Sequence, residues 1–399
     1  MMRRREIVIS GAGTVGLSLA ALLGSGPAAE SLSVHLVESR AGERWIPERM
    51  DLRVYALSRA SEAVLERLGI WSSIAGARVS AYERMHVWEG ADPNGSASID
   101  FDCAEIGEPN LGHIVEDNLL KDRLRQRVAV LPNVNLATGA ELESIDRRAS
   151  GVTLQLRGGG RLRCDLLVGA DGGDSMVRAS AELPAIAASY GQRAIVAHVV
   201  TEKPHARTAR QRFLAGGPLA FLPLADGRSS IVWSLPEAQA AEFMSAPEAD
   251  FLAALEEASG AVLGRLGPIS KRACFPLQVL LALRYCGNRT VLIGDAAHVV
   301  HPLAGQGMNL GLADAACLAA EIEAGLAAGR DPADITVLRR YERRRKAENL
   351  KMLVALDALN RLFRLPAWAA PLRAFGLHAV DRAAPVKRLL MRQALGLRA

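Results

Sequence analysis

The sequence predicts an α/β fold. A Rossmann-like parallel sheet is split in sequence, an antiparallel sheet is inserted into it, and a helical region follows at the C-terminus. Residues 7–9, 166–168 and 291–293 are apolar triplets, and each runs into a glycine-bearing turn followed by helical sequence. Short, wholly apolar strands that alternate with helices are the pattern of a parallel sheet covered on both faces. Between the second and third triplets, residues 194–201, 211–214, 220–224 and 229–235 read as short strands separated by Gly216-Gly217-Pro218 and Asp226-Gly227. That is the pattern of an antiparallel sheet.

Residues 5–38 read as strand, turn, helix and strand. The turn is Gly11-Ala12-Gly13-Thr14-Val15-Gly16, residues 17–23 continue as a helix, and strand 33–37 ends in Glu38. In a GxGxxG turn the first glycine makes the tight turn, the second lets backbone approach a pyrophosphate, and the third lets helix pack on strand. A carboxylate at the end of the second strand accepts from a ribose hydroxyl. The unit points to a dinucleotide and does not separate FAD from NAD. Residues 1–23 also imitate a secretory signal, basic and then apolar, but four glycines by Gly24 and the acid Glu6 weigh against it.

Arg53 precedes an amphipathic helix that Ser58 or Ser61 caps. It reads either as a phosphate or flavin-edge contact or as a surface ion pair. Residues 79–101 alternate and hold Asp92-Pro93-Asn94-Gly95, a hairpin leaving the first domain. A helix is expected over 117–130, strands over 134–137 and 152–156, and a hairpin turn at 158–160. After strand 166–168, Asp171 stands between Ala170 and Gly172, and Ser175 can cap the helix carrying Arg178. Ligands of open α/β sheets lie outside such strand ends. Residues 240–266 read as helical, and 275–283 return toward the sheet. At the third triplet, Gly294 and Asp295 end the strand, and a loop with Pro302, Gly305 and Gly307 feeds a helix over 308–318. The free N–H groups of that helix start suit a flat group with an anionic edge. The expected domains are 1–78, 102–180 and 284–338 for the ligand-binding unit, 79–101 and 181–283 for a substrate-binding sheet, and 339–399 for the helical region.

Of 399 residues, 50% are hydrophobic and 23% charged, an ordinary globular balance. Five scattered cysteines without a CxxC pair read as reduced thiols in a reducing, cytoplasmic compartment, with no metal site. No apolar run reaches the roughly 18 residues of a membrane span. The net charge of +5 is uneven: residues 339–399 hold 15 Lys/Arg against 4 Asp/Glu, and the remainder 33 against 39. A basic, partly amphipathic tail suits an anionic membrane surface or a solvated helix face. It lacks interleaved aromatics on a nucleic-acid module, so no nucleic acid is expected as partner.

GAGTVG with Glu38, GADGGDSMVR and LIGDAAHVVHPLAGQGMNL, in this order and spacing, resemble the flavin aromatic hydroxylases of p-hydroxybenzoate hydroxylase type. DLRVYALSRAS, GHIVEDNLL, FLPLADGRSSIVWS and the C-terminal LNRLFRLP and GLHAVDRAAPVKRLLMRQALG are similar to the ubiquinone-biosynthesis hydroxylases among them. The resemblance spans nearly the whole chain and implies FAD as cofactor. It implies that Gly11, Gly13 and Gly16 hold the pyrophosphate, Glu38 the adenosine ribose, and Asp295 the ribityl or ribose part. Arg53 would face the flavin side, and Asp171 would serve FAD and NAD(P)H. Gly305, Gly307, Met308 and Asn309 would bring N–H groups to the isoalloxazine pyrimidine edge. Thr14, Val15, Ser39, Arg123, Ala170, Gly172, Gly294, Pro302 and Gln306 complete the expected contacts. His301 and Pro302 would lie near the ring, His301 as proton relay or as a loop hydrogen-bonding group, while His298 reads as structural. Asn118 departs from the family, whose members often carry Arg there, and no WxWxIP halogenase signature occurs.

The implied reaction is reduction of FAD by NAD(P)H or another electron donor, reaction with O2 to a flavin C4a-hydroperoxide, and hydroxylation of the ring of a polyprenylated phenol in ubiquinone biosynthesis. Three alternatives stay open at the level of sequence. They are a flavin hydroxylase of a soluble aromatic compound, an FAD-dependent isoprenoid reductase, and a non-catalytic flavin-binding subunit. The basic C-terminal region would meet a membrane surface and a ubiquinone-biosynthesis complex, placing the protein peripherally on the inner face of the membrane.

Overall fold

The computed structural model describes residues 4–93, 95, 97–301, 305–363, 365 and 367–397. A six-stranded sheet joins three distant parts of the chain. Its order is Cys286–Gly287, Thr290–Leu292, Leu166–Gly169, Arg5–Ser10, Leu32–Glu38 and Val134–Thr138. All neighbours run parallel except the short first hairpin. The register sets Ile9 against both Val168 and Leu36, and Val168 against Val291. Ile7 to Ile9, Leu166 to Val168 and Val291 to Ile293 are wholly buried, which is why they read as unbroken apolar triplets. The helices Thr14–Ser25, Asp117–Ala129 and Gln306–Ala327 pack together beside this sheet.

The second large sheet has nine strands: in order Ser98–Asp102, Arg84–Glu89, Thr208–Phe213, Leu219–Pro223, Ser229–Pro236, Ala185–Thr201, Ala273–Ala282 and His298–Val299, with Leu266–Ile269 also paired to Ala185–Thr201. Its neighbours are antiparallel with one exception: Thr208–Phe213 runs parallel to Arg84–Glu89. Along its central strands the two faces alternate. Ile195, Ala197, Leu219, Phe221, Ile231 and Trp233 pack against Phe251 and Leu255 in one apolar cluster. Ala194, Val196, Ala220, Leu222 and Val232 face the other way. Two three-stranded sheets complete the fold: Leu142–Arg148, Gly151–Leu156 and Arg161–Cys164, and Val54–Leu57, Gly112–Glu116 and Ser80–Tyr82.

The helix expected over 240–266 is two helices, Glu237–Ser245 and Glu248–Ser259, followed by a strand, Leu266–Ile269. Pro247 stands between them, where it cannot continue the first helix and starts the second. Gly260, left-handed at φ 65°, ends the second helix. At the C-terminus a 29-residue helix, Ile335–Phe363, precedes Ala370–Arg382 and Ala384–Ala394. Pro371 and Pro385 lie in the first turns of these last two helices, where a missing N–H costs nothing. No helix of the described residues is long and apolar enough to cross a membrane.

Candidate active site

The pairing of Ser10 with Gly169 and of Gly169 with Leu292 brings three turns together at one edge of the parallel sheet. A cavity of about 830 Å³ opens there, between that edge and the free face of the nine-stranded sheet. This is the place and the size expected of a cofactor site.

The first turn shows two opposite uses of glycine. A Cβ on Gly16 would lie 2.0 Å from the Gly11 carbonyl oxygen, so helix and turn could not close with any side chain there. Gly13 has φ −68° and ψ 176°, open to any residue, and a Cβ on it would meet nothing within 4 Å. The fold does not need a glycine at 13. Its bare backbone leaves open the start of the Thr14–Ser25 helix, which has no side-chain cap. Uncapped N–H groups facing a cavity suit a diphosphate.

Glu38 fastens this turn. Its Oε2 accepts from the Ala12 N–H at 2.9 Å, and its Oε1 from the Arg40 N–H at 3.0 Å and the Ser39 hydroxyl at 3.3 Å. Glu38 and Ser39 both line the cavity. Asp171 also lines it, with Ala170 and Gly172, but its carboxylate accepts from the Ser175 hydroxyl and the Val177 N–H. It caps the short Met176–Ser180 helix, as Ser175 itself does.

Asp295 differs from both. It is exposed to the cavity interior, and among the described residues nothing donates a hydrogen bond to it. Its side chain opens on the cavity, and the protein packed around it lowers its hydration and raises its pKa against the pull of His298 and Arg53. A carboxyl group so placed fits a sugar or ribityl hydroxyl. Its turn is rigidly held. The buried Asp314 accepts from the Gly294 N–H at 3.1 Å, from His298 Nε2 at 2.6 Å, from Arg345 Nε at 2.7 Å and from Asn349 Nδ2 at 3.2 Å. His298 is thus paired inside the fold.

Arg53 faces the same cavity. The Tyr55 phenol beside it raises its pKa; burial opposes this, and Asp117, Asp295 and Asp51 add to the rise. Asp117 gathers the hydroxyls of Tyr55 (3.3 Å) and Thr14 (3.4 Å) and the Lys121 ammonium (2.6 Å). Tyr55, Asp117 and Lys121 line the cavity and escaped the sequence reading. The signal for two of them was an acid at a helix start with lysine four residues on.

At the third turn His301 lines the cavity, buried and edge-on to Tyr190 with ring centroids 4.9 Å apart. Gly305 starts the Gln306–Ala327 helix without a side-chain cap, and Gly305, Gly307 and Met308 line the cavity. Asn309 does not. Its side-chain oxygen accepts from the Ser58 N–H at 2.9 Å and the Ser61 hydroxyl at 2.7 Å, and its amide donates to the Ala56 carbonyl at 3.0 Å. It pins this helix to the neighbouring capped helix. Arg123 also lies off the cavity, paired with Asp122 at 2.7 Å and set over the Trp45 ring at 5.5 Å. Gln306 is buried outside the lining, and Pro302 lies outside the described residues.

Opposite this polar floor, Val196, Ala220, Leu222, Val232 and Leu277 form an apolar roof. The reading of the chain missed them as site residues, although every second residue of the predicted strands was the available signal. The site therefore offers two uncapped helix starts, an unbonded carboxyl and a guanidinium beneath an apolar lid. That set fits a long dinucleotide with a flat aromatic end.

Residues 4–354 match the family described as FAD binding domain. The chain is 36% identical to the ubiquinone hydroxylase UbiL of Rhodospirillum rubrum, over 98% of this chain and 89% of that protein. It is 34% identical to the 3-demethoxyubiquinol 3-hydroxylase of Escherichia coli, over 98% of both. It is 33% identical to the mitochondrial ubiquinone biosynthesis monooxygenase COQ6 of Xenopus tropicalis, over 97% of this chain and 92% of that one. The p-nitrophenol 4-monooxygenase PnpA of Pseudomonas putida shares the fold, with TM-score 0.79 at 21% identity over the full length of both chains. The chain belongs to the FAD-dependent aromatic hydroxylases, within the ubiquinone-biosynthesis group.

Proposed function

We propose that this protein hydroxylates the aromatic ring of a polyprenylated phenol on the way to ubiquinone, with FAD, O2 and NAD(P)H or another electron donor. The observation that carries the reading is the two-sided cavity, polar along the sheet edge and apolar along the roof. FAD, when bound, supplies the redox and oxygen chemistry. In our reading the uncapped start at Thr14–Gly16 binds its pyrophosphate, with Gly13 leaving room, while the bare Gly11 lets the turn close on the Ala170 backbone. Glu38 and Ser39 meet the adenosine ribose, and Asp295 orients the ribityl chain. The backbone at Gly305, Gly307 and Met308 faces the pyrimidine edge, where a helix start stabilises negative charge. The apolar roof orients the substrate ring and excludes water. The division into a FAD-binding unit, a substrate sheet and a C-terminal helical region belongs to the same proposal. So does a peripheral place on an anionic membrane surface, among other enzymes of the route.

The test is chemical. Quinone lipids extracted from a strain lacking this gene should hold a prenylated phenol one oxygen short of its successor. An unchanged quinone pool, in a strain without a second such enzyme, would overturn the reading.

A further inference from the structure

The last two helices and the short turn Ala367–Ala369 before them turn large apolar side chains outward. Trp368 is 75% exposed, Leu372 65% and Phe375 70%. In the Ala370–Arg382 helix Leu372, Phe375, Ala379 and Arg382 follow at spacings of three and four, a single stripe. Its opposite side holds Arg373, buried, with Nε 2.9 Å from both oxygens of Glu89 in the nine-stranded sheet. Leu377 and Val380 pack inward beside it. The stripe is therefore the side the fold leaves over, not a poorly packed core. The Ala384–Ala394 helix repeats the arrangement. Lys387 is buried against Glu105 (2.8 Å) and Asp381 (3.2 Å), while Val386, Leu389 and Leu390 are exposed.

The anchoring pairs consume the charges that point inward. Arg382, Arg388 and Arg392 remain exposed around the apolar stripes. An apolar face carrying a tryptophan and edged by arginines complements an anionic lipid surface, where aromatic rings settle at headgroup depth. The face also connects to the cavity. Met85 and Val300, which line it, belong to one apolar cluster with Leu356 and Phe363 of the long helix and with Leu377 and Val380.

We propose that Trp368, Leu372, Phe375, Val386, Leu389 and Leu390 form a docking face for an anionic bilayer. The face sets the apolar side of the cavity against the membrane that holds the substrate. It rests on the proposed lipophilic substrate and names the surface that reaches it.

The test uses full-length, FAD-loaded protein floated with vesicles of phosphatidylcholine, with and without phosphatidylglycerol. The wild type should float with the anionic vesicles, and added salt should weaken that binding. Leu372→Ser with Phe375→Ser should lower vesicle affinity about tenfold or more, since each loses apolar burial, while FAD content and turnover of a short-chain phenol in solution stay unchanged. Trp368→Phe should abolish the vesicle-induced shift in tryptophan emission. A wild type that does not float, or a double variant that floats equally well, overturns the proposal. So does a wild-type dimer by light scattering that the double variant breaks without any vesicle binding, because the face then joins two copies. Turnover of a prenylated phenol without vesicle binding removes the docking face alone. Vesicle binding without any turnover removes the hydroxylase reading alone.

Discussion

Gly13 and Gly16 stand three residues apart in one turn, and only one of them is required by the chain itself. Gly16→Ala places a methyl group on the Gly11 carbonyl, so we expect FAD-free protein to lose at least about 2 kcal/mol in urea denaturation. Gly13→Ala meets no protein atom. Its stability should stay within about 0.5 kcal/mol, while the Kd for FAD rises about tenfold or more, a change of about 1.4 kcal/mol. Asp295→Ala removes a carboxyl that faces the cavity and takes no hydrogen bond from the described residues. Losing a hydrogen bond to a charged group weakens FAD binding by about 1.5–3 kcal/mol, so the protein should purify largely colourless. A full yellow complement would contradict the role given to the third turn. These residues were legible because an acid or glycine at a strand end has few other uses. Asn309 and Arg123 were not, because a backbone N–H, an amide that clamps two helices and a guanidinium over a ring look alike in a motif. Asp171 shows the same limit: its position was legible, but its hydrogen bonds to Ser175 and Val177 were not.

At the scale of elements, Asp314 ties the strand-end turn to the helices Gln306–Ala327 and Ile335–Phe363. Burial alone would raise its pKa, but His298 and Arg345 bring it below the usual carboxylate range. A lowered pKa means that this stability is fully present above about pH 3.9 and is lost as pH falls through the folded value. Asp314→Ala leaves Arg345 and His298 buried without their partner, and we expect a loss of about 3–5 kcal/mol in urea denaturation. Loss of the acid limb of the stability curve should accompany it. His113 works on a different window. Burial, with Arg59 nearby, lowers its pKa to about 4, so its contact with Glu62 at 3.2 Å is made by a neutral ring at neutral pH. That contribution is fully present above pH 6.5 and declines as pH falls toward 4. The roof sheet gives a functional counterpart. Val232 faces the cavity and not the core. Val232→Asn should keep FAD and fold, and raise KM for a prenylated phenol about tenfold, as an amide desolvated by the lipophilic tail costs about 1–3 kcal/mol. The strands of this sheet were legible from their alternation. The parallel pairing of Thr208–Phe213 with Arg84–Glu89 was not, because pairing over such a separation leaves no local mark. Leu142–Arg148 went unread for another reason: it is polar, half exposed and carries no apolar period.

Over the whole molecule, segments more than a hundred residues apart build one sheet edge, and an inserted sheet closes over it. The order of the three turns in the chain already implied that arrangement, since each needs the same edge to serve one ligand. Strand alternation could pick out the roof residues as one face of the sheet, but that this face covers the cavity depends on tertiary contacts that no motif marks. The same holds for the C-terminal helices. Their basic charge was plain in the sequence, but which arginines are consumed by Glu89 and its neighbours depends on tertiary contacts.

The most direct measurement is turnover of a prenylated phenol by purified, FAD-loaded protein under isotopically labelled dioxygen, with the product weighed by mass spectrometry. We expect one labelled oxygen atom on the ring, and no product without an electron donor. A product carrying unlabelled oxygen, or one that gains hydrogen and no oxygen, would contradict ring hydroxylation by this site.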